Sequence, residues 1–112
     1  MQANAIASET RDGYVLVRLQ GEVDLSWSGD VRKAVLDALQ DGVPVGVDLS
    51  AVRYIDSSGI AALVEGFQTA RAKGGRFALV AVSDAVRAVL ELARLDRVFP
   101  LLADADGLSA RA

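Results

Sequence analysis

Apolar and polar side chains alternate along Val43-Pro-Val-Gly-Val-Asp-Leu49, with the apolar ones at positions 43, 45, 47 and 49. A period of two predicts a strand with one buried face. Pro44 sits near its start, where a missing N–H costs least. Tyr14-Val-Leu-Val-Arg-Leu19 is dense in β-forming residues and puts Val15, Val17 and Leu19 on one face. Gly21 permits a kink or bulge, after which Glu22-Val-Asp-Leu25 reads as a brief second strand. Phe77-Ala-Leu-Val-Ala-Val82 is apolar throughout, as a central strand covered on both faces would be. Residues 1–10 alternate weakly at Ala3, Ala5 and Ala7, so they form an edge strand or a loose arm. Asp12-Gly13 reads as the turn that joins them to the next strand.

Between these runs the period changes to that of a helix. Trp27, Val31, Val35 and Leu39 recur on one side, with Asp30, Arg32, Lys33 and Asp37 on the wet side. Ser26 or Ser28 can cap this helix, as can Asp24 before it, and Asp41-Gly42 ends it. A second helix starts near Ser57, with Ile60, Leu63, Val64, Phe67 and Ala70 inward. Arg71 and Lys73 suit its C-terminal dipole, and Gly74-Gly75 stops it. A third, capped by Ser83 or Asp84, turns Val86, Val89, Leu90 and Ala93 inward. Asp96–Leu102 holds a short strand at most, limited by Pro100. Residues 103–112 form a short helix, over 104–111, or a tail. Residues 50–56 read as a loop.

The order is strands, then helix–strand–helix–strand–helix. Val43 through Val82 is a βαβ crossover, expected to be right-handed with parallel strands, and the first strands are close enough to pair antiparallel. The expected fold class is therefore α/β: a mixed four- to five-stranded sheet with about four helices packed on it.

Composition narrows the function. With 112 residues, about half of them hydrophobic, one domain over 1–112 with a real but small core is expected. Cysteine and histidine are both absent. No disulfide or thiolate metal site can form, and the usual general base and commonest zinc ligand are missing. Net charge is −3, and the only lysines are Lys33 and Lys73, so nucleic acid is not an expected partner. The start lacks the basic region and apolar run of a signal peptide. No apolar stretch approaches the roughly 20 residues that cross a bilayer. A soluble, cytoplasmic chain without membrane insertion is expected.

The chemistry concentrates at Asp56-Ser57-Ser58-Gly59, between the strand at 43–49 and the second helix. The first N–H groups of a helix have no internal partners, and the dipole there is positive. A phosphate on a hydroxyl at that point is favoured by the helix end and brings charge beside Asp56. Gly59 is expected to leave the first turn open to a partner backbone. Helix-cap chemistry alone also explains every one of these residues. Asp24, Asp48 and Asp56 do not make a phospho-accepting receiver site, because the adjacent acidic pair and the lysine after the last strand are missing. Lys73-Gly-Gly-Arg76 lies between helix and strand, the reverse of a phosphate loop. Ser57 has no candidate base and no Gly-x-Ser-x-Gly elbow. No enzyme activity, metal or cofactor is expected.

The stretch from Val47 to Leu63, Val-Asp-Leu-Ser-Ala-Val-Arg-Tyr-Ile-Asp-Ser-Ser-Gly-Ile-Ala-Ala-Leu, resembles the signature of the STAS domain family. Gly21-Glu-Val-Asp24 resembles that family's Gly-Glu-hydrophobic-Asp segment, and Leu92–Pro100 its late segment after the third helix. The resemblance covers almost all of Tyr14–Leu102 and implies a STAS fold. In the family's bacterial anti-sigma factor antagonists, a serine kinase that is also the anti-sigma factor phosphorylates the serine after the motif's aspartate. Here that serine is Ser57. The resemblance implies partner switching: the unphosphorylated protein binds the kinase, the phosphorylated one lets go, and a serine phosphatase resets it. It also implies a partner surface of Asp24, Asp56, Ser57, Ser58 and Gly59. One departure is Gly59-Ile-Ala, where antagonists often carry Gly-Leu-Gly, together with an early Glu65. This also resembles STAS subunits of bacterial phospholipid-type ABC transporters, which bind the ATPase subunit. Both partner classes stand at this point.

Overall fold

A computed structural model describes residues 4–11 and 13–109. The strand that opens the chain, β1 (Ala5–Arg11), lies at one edge of the sheet and pairs antiparallel with β2 (Tyr14–Val23). Gly13, at φ +88°, lies in the connection between them; Asp12, the other half of the expected turn, lies outside the described residues. The weak alternation at Ala3, Ala5 and Ala7 does not mark the inner face. Ile6 packs against the core while Ala5 and Ala7 are exposed, and Ala3 lies outside the described residues. Size decides here, because a branched side chain gains more from burial than a methyl.

β2 runs unbroken through Gly21, so the separate second strand expected after it is a continuation of the first, while the expected kink or bulge there takes the form of a bulge. The irregularity is taken up as shifts of register against its neighbour, β3 (Val45–Ile55). Arg18 pairs with Asp48 but Gln20 with Ala51, and Gly21 pairs with Val52 but Glu22 with Tyr54. β3 thus holds one extra residue at each of two places. The expected loop over residues 50–56 is therefore strand as far as Ile55, and only Asp56 lies between strand and helix. Bulges of this kind break the period-two pattern, which is why the alternation stops at Leu49 although the strand does not. Asp48 supports the first bulge: its Oδ1 accepts from Ser50 N at 2.9 Å and from Ser50 Oγ at 2.7 Å.

Helix α1 (Leu25–Ala38) ends in a 3₁₀ turn at Leu39–Asp41, closed by Gly42 in the left-handed region at φ +75°. Of the three candidate caps, Asp24, Ser26 and Ser28, Asp24 is the one used. Then come α2 (Ser57–Ala72), β4 (Phe77–Val80), α3 (Asp84–Leu92) capped by Ser83, β5 (Leu101–Leu102) and α4 (Asp106–Ser109). The expected final helix over 104–111 is one turn of this, and residues 110 and 111 lie outside the described ones. The sheet order is β1-β2-β3-β4-β5, parallel from β2 onward. This is the α/β architecture expected, with five strands and four α-helices among the described residues.

One core joins Val15, Val17 and Leu19 of β2 to Val31 and Val35 of α1, Leu63 of α2, and Val86 and Leu90 of α3. Phe77 and Leu79 of β4 belong to it as well. The intervening side chains, Tyr14, Leu16, Ala78 and Val80, face the other way into a smaller cluster closed by Leu108 of α4. β4 is buried on both faces for that reason, as its sequence predicts. Arg32 of α1 and Glu65 of α2 form a two-point ion pair, Nε–Oε1 at 2.6 Å and Nη2–Oε2 at 2.7 Å. It ties the two helices together on their outer side.

Candidate functional site

β2 and β3 are parallel and end together, with Val23 opposite Ile55. Each strand is followed by a single aspartate and then a helix. The two aspartates adopt nearly the same backbone geometry: φ −111°, ψ −175° at Asp24, and φ −109°, ψ −171° at Asp56. Each closes its helix by the same rule, a carboxylate accepting from the free N–H groups of the first turn. Asp24 Oδ1 accepts from Ser26 N at 3.1 Å and Ser26 Oγ at 2.6 Å. Asp56 Oδ1 accepts from Ser58 N at 2.9 Å, Ser58 Oγ at 2.6 Å and Gly59 N at 3.2 Å. Asp-x-Ser therefore starts two neighbouring helices, as Asp24-Leu25-Ser26 and as Asp56-Ser57-Ser58, while Asp48-Leu49-Ser50 makes the same bonds at the bulge in β3.

The two copies are joined. Asp56 N donates to Val23 O at 3.2 Å. The Ser58 hydroxyl holds the Asp56 carboxyl below the usual carboxylate range. Partial desolvation opposes this, and the N–H groups of Gly59, Ser58 and Leu25 add to it. Ser58 spends its hydroxyl on this cap. Ser57, at the first position of α2, is exposed, and its hydroxyl is not among the cap's donors.

Gly59 does something other than expected. It is buried, and a Cβ there would lie 2.7 Å from both Ile55 Cγ1 and Val23 Cγ1 and 2.9 Å from Val23 O. Its bare face turns inward, onto the ends of β2 and β3. The glycine lets α2 start this close to the strands, and it does not open the turn to a partner.

Two exposed apolar side chains near the site were missed. Leu25, the residue matching Ser57 in the first copy of the motif, is 78% exposed, and Tyr54, two residues before Asp56, is 51% exposed. The signal for Leu25 was present in the sequence. It lies two residues before Trp27, about 200° round the helix from the inner face. A large apolar residue that far out of phase faces water. Among the described residues, no acidic, histidine or cysteine side chains group to hold a metal ion. No helix among them is long and apolar enough to cross a membrane.

The chain belongs to the STAS domain family, whose model matches residues 5–106. It is 29% identical over 98 residues to the anti-sigma F factor antagonist of Paenibacillus polymyxa, covering 86% of this chain and 84% of that one. It is 24% identical over 89 residues to the anti-sigma-B factor antagonist of Listeria monocytogenes, covering 79% and 78%. Among solved structures it resembles an anti-sigma factor antagonist from Mycobacterium paratuberculosis. That match has a TM-score of 0.83 and 29% identity, and covers 96% of this chain and 92% of the other.

Proposed function

We propose that this chain is a phosphorylation-controlled anti-sigma factor antagonist, a cytoplasmic binding protein with Ser57 as its phosphoacceptor. The observation that carries this reading is the division of labour at the start of α2. Asp56 and Ser58 are committed to the cap, while Ser57 projects an exposed hydroxyl outside it. Relatives that are themselves anti-sigma factor antagonists support the partner class. An anti-sigma factor that is also a serine kinase reads the surface around Asp24, Asp56 and Ser57. A serine phosphatase restores it.

The switch is electrostatic. A phosphate adds about −1.5 to −2 charges at neutral pH. On Ser57 it meets the positive end of α2, so the domain tolerates it. It also sits next to a carboxylate that the cap already keeps ionised. A partner that reads a surface holding the Asp24 and Asp56 carboxylates then meets about two further negative charges. Like-charge juxtaposition across an interface costs several kcal/mol by the usual rule, so the partner releases.

The test is incubation with the cognate serine kinase and ATP, followed by mass spectrometry. One phosphate on Ser57 is expected, lost in Ser57→Ala and kept in Ser58→Ala. Ser57→Asp weakens kinase binding. A phosphate elsewhere, none at all, or unchanged affinity in Ser57→Asp overturns the proposal. So does native capture of an ABC transporter ATPase subunit in place of a kinase.

A further inference from the structure

About 21 Å along α2 from Ser57, at 1.5 Å per residue, the last turns of the helix meet β4, β5 and α4 around a cavity of about 230 Å³. Its walls are apolar: Phe67, Phe77, Pro100, Leu102 and Leu108. Phe67 and Phe77 stand edge to face with ring centres 6.3 Å apart, and Phe67 packs against Phe99 in the same way at 5.5 Å. That gives one side a stiff aromatic backing.

The charged residues in the lining are both cationic, Arg71 and Arg76, in a chain whose net charge is −3. Both are exposed, so they stand on the solvent side of the apolar walls. Arg76 is held in place, donating through Nη1 to Leu108 O and through Nη2 to Gly107 O, each at 3.3 Å. Arg71 lies over the Phe67 ring, 5.7 Å from its centre. Among the described residues no ion pair involves Arg71.

An apolar pocket with a few convergent polar groups at its mouth is the usual form of a small-molecule site. The volume lies below the roughly 300–1,000 Å³ typical of drug-sized ligands. At about 30 Å³ for each water-sized group, it holds seven or eight such groups. We infer that this cavity binds a short- to medium-chain aliphatic carboxylate, its tail between Phe67, Phe77, Leu102 and Leu108 and its head group at Arg71. The apolar walls supply the binding energy, and the guanidinium selects the anion over a neutral chain of equal length. The site is separate from the Ser57 surface, and the inference does not depend on the switching proposal.

The test is titration of the ¹⁵N-labelled full chain with octanoate, with octanol as the neutral match, followed by amide chemical shifts. Octanoate gives saturable shifts centred on residues 67–78 and 100–108, and octanol binds there about fivefold more weakly, as expected for one exposed charge-assisted contact. Arg71→Gln brings octanoate down to the level of octanol and leaves octanol unchanged. Arg71 is exposed, so the variant's own spectrum matches the parent away from the pocket. Shifts that do not saturate or that centre on exposed Leu25 or Leu92 overturn the inference. So do equal affinities for acid and alcohol, or an Arg71→Gln protein that still prefers the acid.

Discussion

Replacing Gly59 with alanine adds one methyl group at the most crowded point of the site. The new Cβ would lie 2.7 Å from Ile55 Cγ1, 2.7 Å from Val23 Cγ1 and 2.9 Å from Val23 O. Carbon atoms in good contact are about 3.5–4.0 Å apart. Val23 and Ile55 are fully enclosed, at 0% and 2% exposure, so neither can swing into water. The Val23 carbonyl cannot move freely either, since it accepts from Asp56 N at 3.2 Å. Overpacking of this kind costs about 1–3 kcal/mol. Alanine returns at most about 1 kcal/mol of backbone entropy, and less so close to a helix end. The net expectation is a loss of about 1–2 kcal/mol. With a urea m-value of about 2 kcal/mol/M, the unfolding midpoint falls by about 0.5–1 M at unchanged slope. Gly29 provides the control. It is an exposed glycine in α1, and a Cβ there meets nothing within 4 Å, so Gly29→Ala raises stability by about 0.5–1 kcal/mol. A Gly59→Ala protein that unfolds at or above the parent midpoint refutes the packing account. A Gly29→Ala protein that falls with it points to some general effect of the substitution.

Three further outcomes follow from the same geometry. Leu25→Ser keeps stability within about 0.5 kcal/mol but weakens binding to the proposed kinase partner by more than about 1 kcal/mol; equal affinity by calorimetry removes Leu25 from the interface. Leu108→Ala opens the small cluster under Tyr14, Leu16, Ala78 and Val80 and costs about 2–3 kcal/mol, near the lower end for a buried leucine; unchanged thermal unfolding would mean that α4 does not seal that face. Because the Asp56 carboxyl is held low in the folded state, its contribution is complete above the unfolded-state value near 4 and fades as pH falls through the folded value. Asn caps a helix about as well as Asp, so the stability gap between the parent and Asp56→Asn narrows from pH 7 to pH 3, and a gap that stays constant contradicts the assigned cause.

Much of this was legible in the sequence because it is local. The period of 3.6 from Trp27 to Leu39 and from Ile60 to Ala70 predicts α1 and α2, and the apolar run at Phe77 predicts a strand covered on both faces. Cap chemistry at Asp56 and Ser83 is written within three residues of each helix start. Errors fell where a distant neighbour decides. Ser50 to Ile55 reads as loop because two bulges against β2 destroy its alternation, and those bulges exist only in the pairing of residues some thirty positions apart. Asp24, Ser26 and Ser28 can all cap α1, and the backbone path out of β2 selects Asp24.

The sequence by itself determined the order of elements, the α/β class, the resemblance to the STAS family, and Asp56-Ser57-Ser58-Gly59 at the head of an amphipathic helix. All of these rest on periodicity and on short-range hydrogen-bonding chemistry, which a linear chain displays. The tertiary structure alone decided that β2 and β3 end side by side, that the Asp56 N–H ties the start of α2 to the end of β2, and that Gly59 faces inward. It also left Leu25 in solvent beside Ser57's helix and formed the open pocket lined by Arg71. These features depend on register and on which surfaces meet, and contacts between remote segments set both.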